Sequence, residues 1–348
     1  MKHAITISLI CAMALLLCLP FATARAQAGG GITGQESVKV TVFNFVRAET
    51  DMTLARYAAQ GAFGKFFHIR QPVPIDRQDV IRMNRDTIYS AGIFDLTEPV
   101  TITKPESGRF QSMMIINQDH SIFPAEHGSG SFTLTKEKIG TRYMFVVFRT
   151  FVNAEDPNDI KEANALQDQL KFEQADPGSF EIPNWDKKSL GKIRDALNVL
   201  SSDITDSKGF FGDKSKLNPI KHLLGTAYGW GGNPKEAAIY DNFVPEQNDG
   251  TVPYTVTVKD VPVDGFWSIT VYNAKGFMEK NDQGVYSYNN VTASPNDDGS
   301  FTINFGGDPK TQNYIPAPKG WNCLIRMYQP RQEIINGTWS FPRPVVAN

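Results

Sequence analysis

Cysteine is scarce in this chain: three in 348 residues, two of them within the first eighteen. Once a leading segment is removed only Cys323 is left, and a single thiol excludes an internal disulfide framework, so stability has to come from packed cores. Charge of one sign is missing too. The formal net charge of −2 is too balanced to mark a nucleic-acid-binding face or a surface for anionic lipid. No long apolar run follows residue 19, so none of the later chain is expected to span a bilayer. Familiar chemical signatures are absent as well: there is no Walker loop, dinucleotide fingerprint or H-E-x-x-H pair, and His127-Gly128-Ser129-Gly130-Ser131 has the wrong spacing for a nucleophile elbow. A calcium loop starting at Ser294 fails because Phe305 stands where the bidentate Glu belongs.

The ends of the chain carry their own signals. Lys2 and His3 precede an apolar run from Ala4 to Leu19, and Ala24-Arg25-Ala26 supplies small residues at a cleavage position. The expectation is a signal peptide over 1–26, a Gly-rich flexible leader over 27–36, and a periplasmic or secreted mature chain. Cys11 and Cys18 follow Ile10 and Leu17 rather than a small residue, which argues against a lipid anchor. Loss of Lys2 and Arg25 takes the formal charge from −2 to −4.

Patterning divides the rest. Residues 37–152 read as a β-rich domain with leading helices, which the run Glu49-Thr50-Asp51 is expected to break in two. Arg109–Asn117 and Thr141–Phe151 are apolar runs of strand length, the second rich in β-branched and aromatic residues. Residues 153–245 read as a helical segment. Asp156-Pro157 pairs an N-cap with proline at the first helical position, Ile160, Ala163, Leu166 and Leu170 form one apolar stripe, and Leu190, Ile193, Leu197 and Leu200 form another. Asn218-Pro219 and Asn233-Pro234 predict two further short helices, with a polar loop over 203–217 before the first. From residue 246 to 348 the period returns to two, as in Val252, Tyr254, Val256 and Val258, and Asp298-Gly299 signals a hairpin. The fold class expected is mainly β with a helical insert: two antiparallel β-sandwich or jelly-roll-like domains.

Candidate chemistry gathers at four places. Asn84-Arg85-Asp86-Thr87-Ile88-Tyr89-Ser90 sets strongly polar side chains against the apolar run Ala91-Gly92-Ile93-Phe94. A charge at the mouth of a buried strand must be paired, solvated or used. Strand alternation puts Asn84 and Asp86 on one face and Arg85 and Tyr89 on the other. A purely structural ion pair at a domain junction explains the same residues. Gln118-Asp119-His120 follows a strand end, where a carboxylate and an imidazole serve either as proton carriers or as a satisfied turn. No metal or other cofactor is called for: His120 with His127 is the only close histidine pair, and nothing else supports a metal site. In the C-terminal part, Ser268, Thr270 and Tyr272 lie opposite Trp267, Ile269 and Val271, and Arg326 and Tyr328 lie opposite Cys323 and Met327. If these two strands are neighbours, Tyr272, Arg326 and Tyr328 build one polar wall, suited to an anionic or sugar-like ligand and equally to an interdomain seam. Trp230, set among Gly229, Gly231 and Gly232, either walls a ligand site or plugs an interface.

Taken in order, NRDTIYS at 84–90, GFWSITVYN at 265–273, NDDGSFTINF at 296–305, NYIPAPKGWNCLIRMYQP at 313–330 and GTWSFP at 337–342 resemble a bacterial family. Its members pair domain of unknown function 1254 (N-terminal) with domain of unknown function 1214 (C-terminal). The resemblance runs from about residue 60 to the end, with one departure, Tyr314-Ile315 for the family's Trp-Leu. It implies two β-sandwich domains with a helical segment and carries no settled reaction. From the residues themselves, the leading expectation is an exported hydrolase-like enzyme acting on a small molecule or an envelope ester or glycan. Its cleft would lie between the domains, with Asp86 or Asp119 (His120 as the alternative) moving protons to and from water. Arg85 or Arg326 would hold an anionic group, with Asn84, Tyr89, Trp230, Tyr272 and Tyr328 binding substrate. The runners-up are a non-catalytic sugar- or lipid-binding module and an envelope structural or assembly protein.

Overall fold

A computed structural model describes residues 36–78, 81–201 and 208–347; the expected signal segment, nearly all of the leader and part of the loop at 203–217 lie outside them. The first half runs α1 (Phe45–Ala59), β1 (Phe66–Ile69), β2 (Thr87–Asp95), β3 (Val100–Lys104), β4 (Gln111–Asn117), β5 (Gly130–Leu134), α2 (Lys136–Ile139) and β6 (Tyr143–Phe151). There follow α3 (Pro157–Gln167), β7 (Lys171–Gln174), α4 (Lys187–Leu200) and α5 (Pro219–Gly229). The second half is β8 (Ala238–Phe243), β9 (Tyr254–Val258), β10 (Trp267–Tyr272), β11 (Ser287–Asn289), β12 (Phe301–Phe305), β13 (Tyr314–Ile315), β14 (Asn322–Tyr328), α6 (Gln332–Ile335) and β15 (Val345–Val346). The fold is mainly β, in four sheets, and apart from the parallel pair β12 and β13 the strand pairings are antiparallel.

In the N-terminal half the sheet β1-β2-β6-β4 is buried on both faces. One face meets the sheet β5-β3-β7 through Phe94, Ile102, Met113, Met144 and Phe148. The other packs Ala91, Ile93, Phe145 and Val147 under α1, α4 and α5, through Phe45, Leu54, Leu190, Leu197 and Leu224. This double burial is why β2 and β6 read as unbroken apolar runs instead of alternating. The helical segment therefore forms a third layer over the first domain. In the C-terminal half β11-β10-β14-β8 stacks on β13-β12-β9-β15 around Trp267, Ile269, Val271, Ile303, Phe305, Trp321 and Ile325. Cys323 lies in this core, where burial pushes its thiol up to about 12.

Three local expectations are corrected. Helix α1 passes through Glu49, Thr50 and Asp51 unbroken because the packed layer supplies each with a partner: Arg194 Nε donates to Glu49 at 3.0 Å, Trp230 Nε1 to Thr50 at 3.0 Å, and Gln118 and Trp185 to Asp51 at 2.7 and 3.0 Å. Asn233-Pro234 starts a single turn, closed by Ala237 N–H to Pro234 O at 2.9 Å, because the chain is at once recruited into β8 by pairing with β14. Asp298-Gly299 does form a tight turn, with Gly299 at φ +80°, but it joins no hairpin: β12 pairs with β9, in the opposite sheet from β11.

Candidate functional site

The NRDT segment lies where the two halves meet. Asn84 bends back on itself, its Oδ1 accepting the Asp86 N–H at 2.7 Å, while its Nδ2 donates to the Tyr328 hydroxyl at 2.8 Å. One amide thus fixes the turn entering β2 and ties it to β14. Arg85 turns away, donating to Val73 O and pairing with Glu155 at 2.9 Å, beneath the Tyr286 ring. Arg85 and Asp86 therefore belong to different neighbourhoods and do not pair with each other.

Asp86 is 2 % exposed; its Oδ1 accepts from Asn289 Nδ2 at 3.2 Å, while Oδ2 and the nearby Ser268 hydroxyl both lack a partner of good hydrogen-bond geometry. Burial raises its pKa; the Arg326 charge opposes this, as do Ser268 and Asn289. The geometry behind that balance is a cross-strand row. Register places Asn289, Ser268, Arg326 and Tyr240 side by side across all four strands β11, β10, β14 and β8, on the face away from the C-terminal core. Arg326 is fully buried. It donates to Thr270 Oγ1 at 2.8 Å, to Tyr272 OH at 2.7 Å and to Arg82 O at 2.9 Å, leaving Nε without a partner. The Tyr272 hydroxyl donates to Met83 O at 2.8 Å. Tyr328 stacks on Phe266 at 4.3 Å, and burial drives its phenol well above the usual range.

Two arginines that sequence reasoning passed over complete this neighbourhood. Arg82 sits at φ +60° over the Tyr272 ring, buried, with Nε and Nη1 unpartnered. Arg149 lies on β6 directly between Tyr89 on β2 and Ser112 on β4. The sign that could have found Arg149 is the same one that singled out the NRDT segment: one charge inside an otherwise apolar strand.

Asp119 and His120 belong elsewhere. Asp119 is clamped by Arg47 and Lys214, and although burial opposes it, those two cations hold the carboxyl below its usual range. His120, at φ +54°, accepts the Gly231 N–H on Nε2 at 2.9 Å, so its proton is on Nδ1, 2.8 Å from Thr226 Oγ1. Thr226 spends its own proton on His222 O at 2.8 Å. Both ring nitrogens are committed, and burial, with His222 adding to it, drives the imidazole well below its usual pKa. Trp230 stacks on His120 at 5.5 Å and packs into the helical layer. Among the described residues no group of three or more His, Cys, Asp or Glu is placed to hold a metal, and His127 packs on Phe110 at 5.6 Å. A second polar pair also escaped notice: His68 Nδ1 lies 2.8 Å from Ser90 Oγ, the fully buried last residue of the NRDTIYS motif.

A mainly β protein of two sandwiches with a buried, donor-rich polar seam is the class that fold and site define. Residues 63–174 match the family model described as Protein of unknown function (DUF1254), and residues 241–332 match Protein of unknown function (DUF1214). The chain belongs to the family that pairs these two domains. Among solved structures it is similar to the VPA0106 protein from Vibrio parahaemolyticus, at 17 % identity and a TM-score of 0.68, over 88 % of this chain and 98 % of that one. That likeness is one of fold. An uncharacterised protein from Burkholderia cenocepacia is also similar, at 14 % identity and a TM-score of 0.46, over 88 % of each chain. A search of curated proteins finds no match.

Proposed function

We propose that the seam between the two sandwiches is the active site of a hydrolase-like enzyme and that Asp86 is its proton carrier. The observation that carries this reading is a carboxylate 2 % exposed with one oxygen left without a partner, at the junction of two domains. A buried charge is costly unless it is fully paired, and a half-satisfied one suits a group reserved for chemistry. Burial makes Asp86 a stronger base than an ordinary carboxylate, while Arg326, Ser268 and Asn289 favour its ionised form. In an ester or glycosidic hydrolysis the carboxylate would take a proton from water as the water oxygen bonds to the electrophilic carbon. The same proton would then go to the leaving oxygen as its bond breaks. The substrate is a small molecule or an envelope ester or glycan, met after export, which the apolar run and small residues of the N-terminal segment favour. N-terminal sequencing of protein recovered from the periplasm or the medium tests the export reading.

A panel of chromogenic esters and glycosides, assayed from acid to alkaline pH, tests the activity. Turnover is expected to fall away on the acid side as Asp86 takes up a proton, and Asp86→Asn should lower it by roughly 10²–10⁴-fold. Saturable binding of a panel member with no turnover at any pH would replace this reading with a binding module. A wild-type rate matched by Asp86→Asn would move the chemistry elsewhere.

A further inference from the structure

Arg149 is a charge without a counter-charge. Its side chain is 2 % exposed, and its donors reach only Gly231 O at 3.2 Å and the Met114 sulfur at 3.8 Å, leaving Nε with no partner. Among the described residues no carboxylate forms an ion pair with it. A guanidinium offers five N–H donors and no acceptor, so a buried one with so few partners is short of acceptors.

The groups around Arg149 are donors as well. Its guanidinium carbon lies 5.9 Å from the centre of the Tyr89 ring. Tyr240, next to Arg326 on the C-terminal sheet, accepts from Asn233 Nδ2 at 2.7 Å, which leaves the Tyr240 proton free to donate; no acceptor for it appears among the described residues. Arg149 and Tyr240 are both bonded to the short segment 231–233, through Gly231 O at 3.2 Å and Asn233 Nδ2 at 2.7 Å, which brings the two side chains into one neighbourhood. Tyr240 is partly exposed as a residue, while its hydroxyl is buried. Of the other seam arginines, Arg85 holds Val73 O and Glu155, and Arg326 is bonded to Thr270, Tyr272 and Arg82 O; Arg82, with Nε and Nη1 unpartnered, lies over the Tyr272 ring.

We propose that Arg149, with the hydroxyls of Tyr240 and Tyr89, binds an oxyanion group of the substrate: a carboxylate, phosphate or sulfate. A planar fork of donors beside two phenols matches such a group in shape and charge. The proposal deepens the reading of the seam as a substrate site and rests on it for the word substrate. Asp86 would act at one end of the seam while Arg149 holds the anionic part of the molecule at the other.

Thermal melting of the mature chain, titrated separately with phosphate, sulfate and acetate against chloride at constant ionic strength, tests it. Wild type is expected to gain melting temperature saturably with at least one of the three, and the arm that responds identifies the kind of oxyanion. Arg149→Met should melt no lower than wild type without added anion and should lose the response. Tyr240→Phe, which keeps the ring, should weaken half-saturation by about tenfold. If Arg149→Met does not fold, Tyr240→Phe and Arg149→Lys carry the test. A phosphate, sulfate or acetate response that survives in Arg149→Met or is unchanged in Tyr240→Phe overturns the proposal, as does a wild type that answers to none of the three. Asp86→Asn keeps this test apart from the catalytic one: it should retain the anion response whatever it does to turnover.

Discussion

Asp86 and His120 are both buried titratable groups, yet they shift stability with pH in opposite senses. The folded state raises the Asp86 pKa, chiefly by burial, so between the ordinary carboxylate value of 3.8 and the raised value the folded chain binds more protons than the unfolded one. Stability from this group is therefore highest in acid and is lost as pH rises through that window. Asp86→Asn removes the titration. It should melt at or above wild type at neutral pH, with the difference shrinking as pH falls toward the carboxylate range; calorimetry at four or five pH values checks this. A variant melting well below wild type at neutral pH would make the carboxylate a structural anchor. For His120 the folded pKa is driven well below 6.5 by burial and by His222, so its stabilisation is present above about 6.5 and lost as pH falls below it. Asp119 was read from sequence as the alternative to Asp86. Spatially it is a half-buried carboxylate clamped by Arg47 and Lys214, with a depressed pKa, whereas Asp86 is fully buried with no cation bonded to it among the described residues, and burial raises it.

Elements place these residues more than their own propensities do. Helix α5 starts where Asn218 accepts the Ile220 and Lys221 N–H groups at 2.9 and 3.3 Å, with Pro219 at the first helical position. The helix carries Thr226 to His120 and ends at Trp230, beside the Gly231 carbonyl that Arg149 reaches. Asn218→Ala should cost about 1 kcal/mol, which chemical denaturation would read as a lower midpoint with an unchanged slope. Such start signals were legible in the sequence because capping is local chemistry: Asp156-Pro157 and Asn218-Pro219 each begin a helix where expected. The break expected at Glu49-Thr50-Asp51 was not legible, because Arg194, Trp230, Gln118 and Trp185, which satisfy those side chains, come from up to 180 residues away.

On the scale of the whole molecule, the seam is held by aromatic packing as much as by polar contacts. Phe266 stacks on Tyr328 and meets Phe151 at 4.9 Å and Phe110 at 5.1 Å, joining β10 and β14 to the N-terminal half. Truncation of a buried Phe to Ala commonly costs about 3–5 kcal/mol. Phe266→Ala is expected to do more than lower the melting temperature. With the aromatic bridge gone, one calorimetric transition should separate into two, one for each sandwich. A single transition shifted downward would mean that the polar links, Asn84 to Tyr328 and Tyr272 to Met83, couple the halves without it.

By itself the sequence determined the order of the regions: two β-rich halves, a helix-bearing segment between them in the chain, the apolar faces, and most of the helix starts. These follow from periodicity and capping, which act over a few residues; β7 and β8, inside the segment read as helical, are strands through their pairing with β3 and β14. The sequence also placed Ser268, Thr270 and Tyr272 on the face opposite the C-terminal core, since a strand's period of two needs no partner to be read. Only the tertiary structure decided which of these side chains meet. Strand register across β11, β10, β14 and β8 aligned Asn289, Ser268, Arg326 and Tyr240, and pairing of β2 with β6 set Arg149 against Tyr89. Registers of this kind are fixed by contacts between residues far apart in the chain, and a shift of one residue would turn every one of these side chains to the other face.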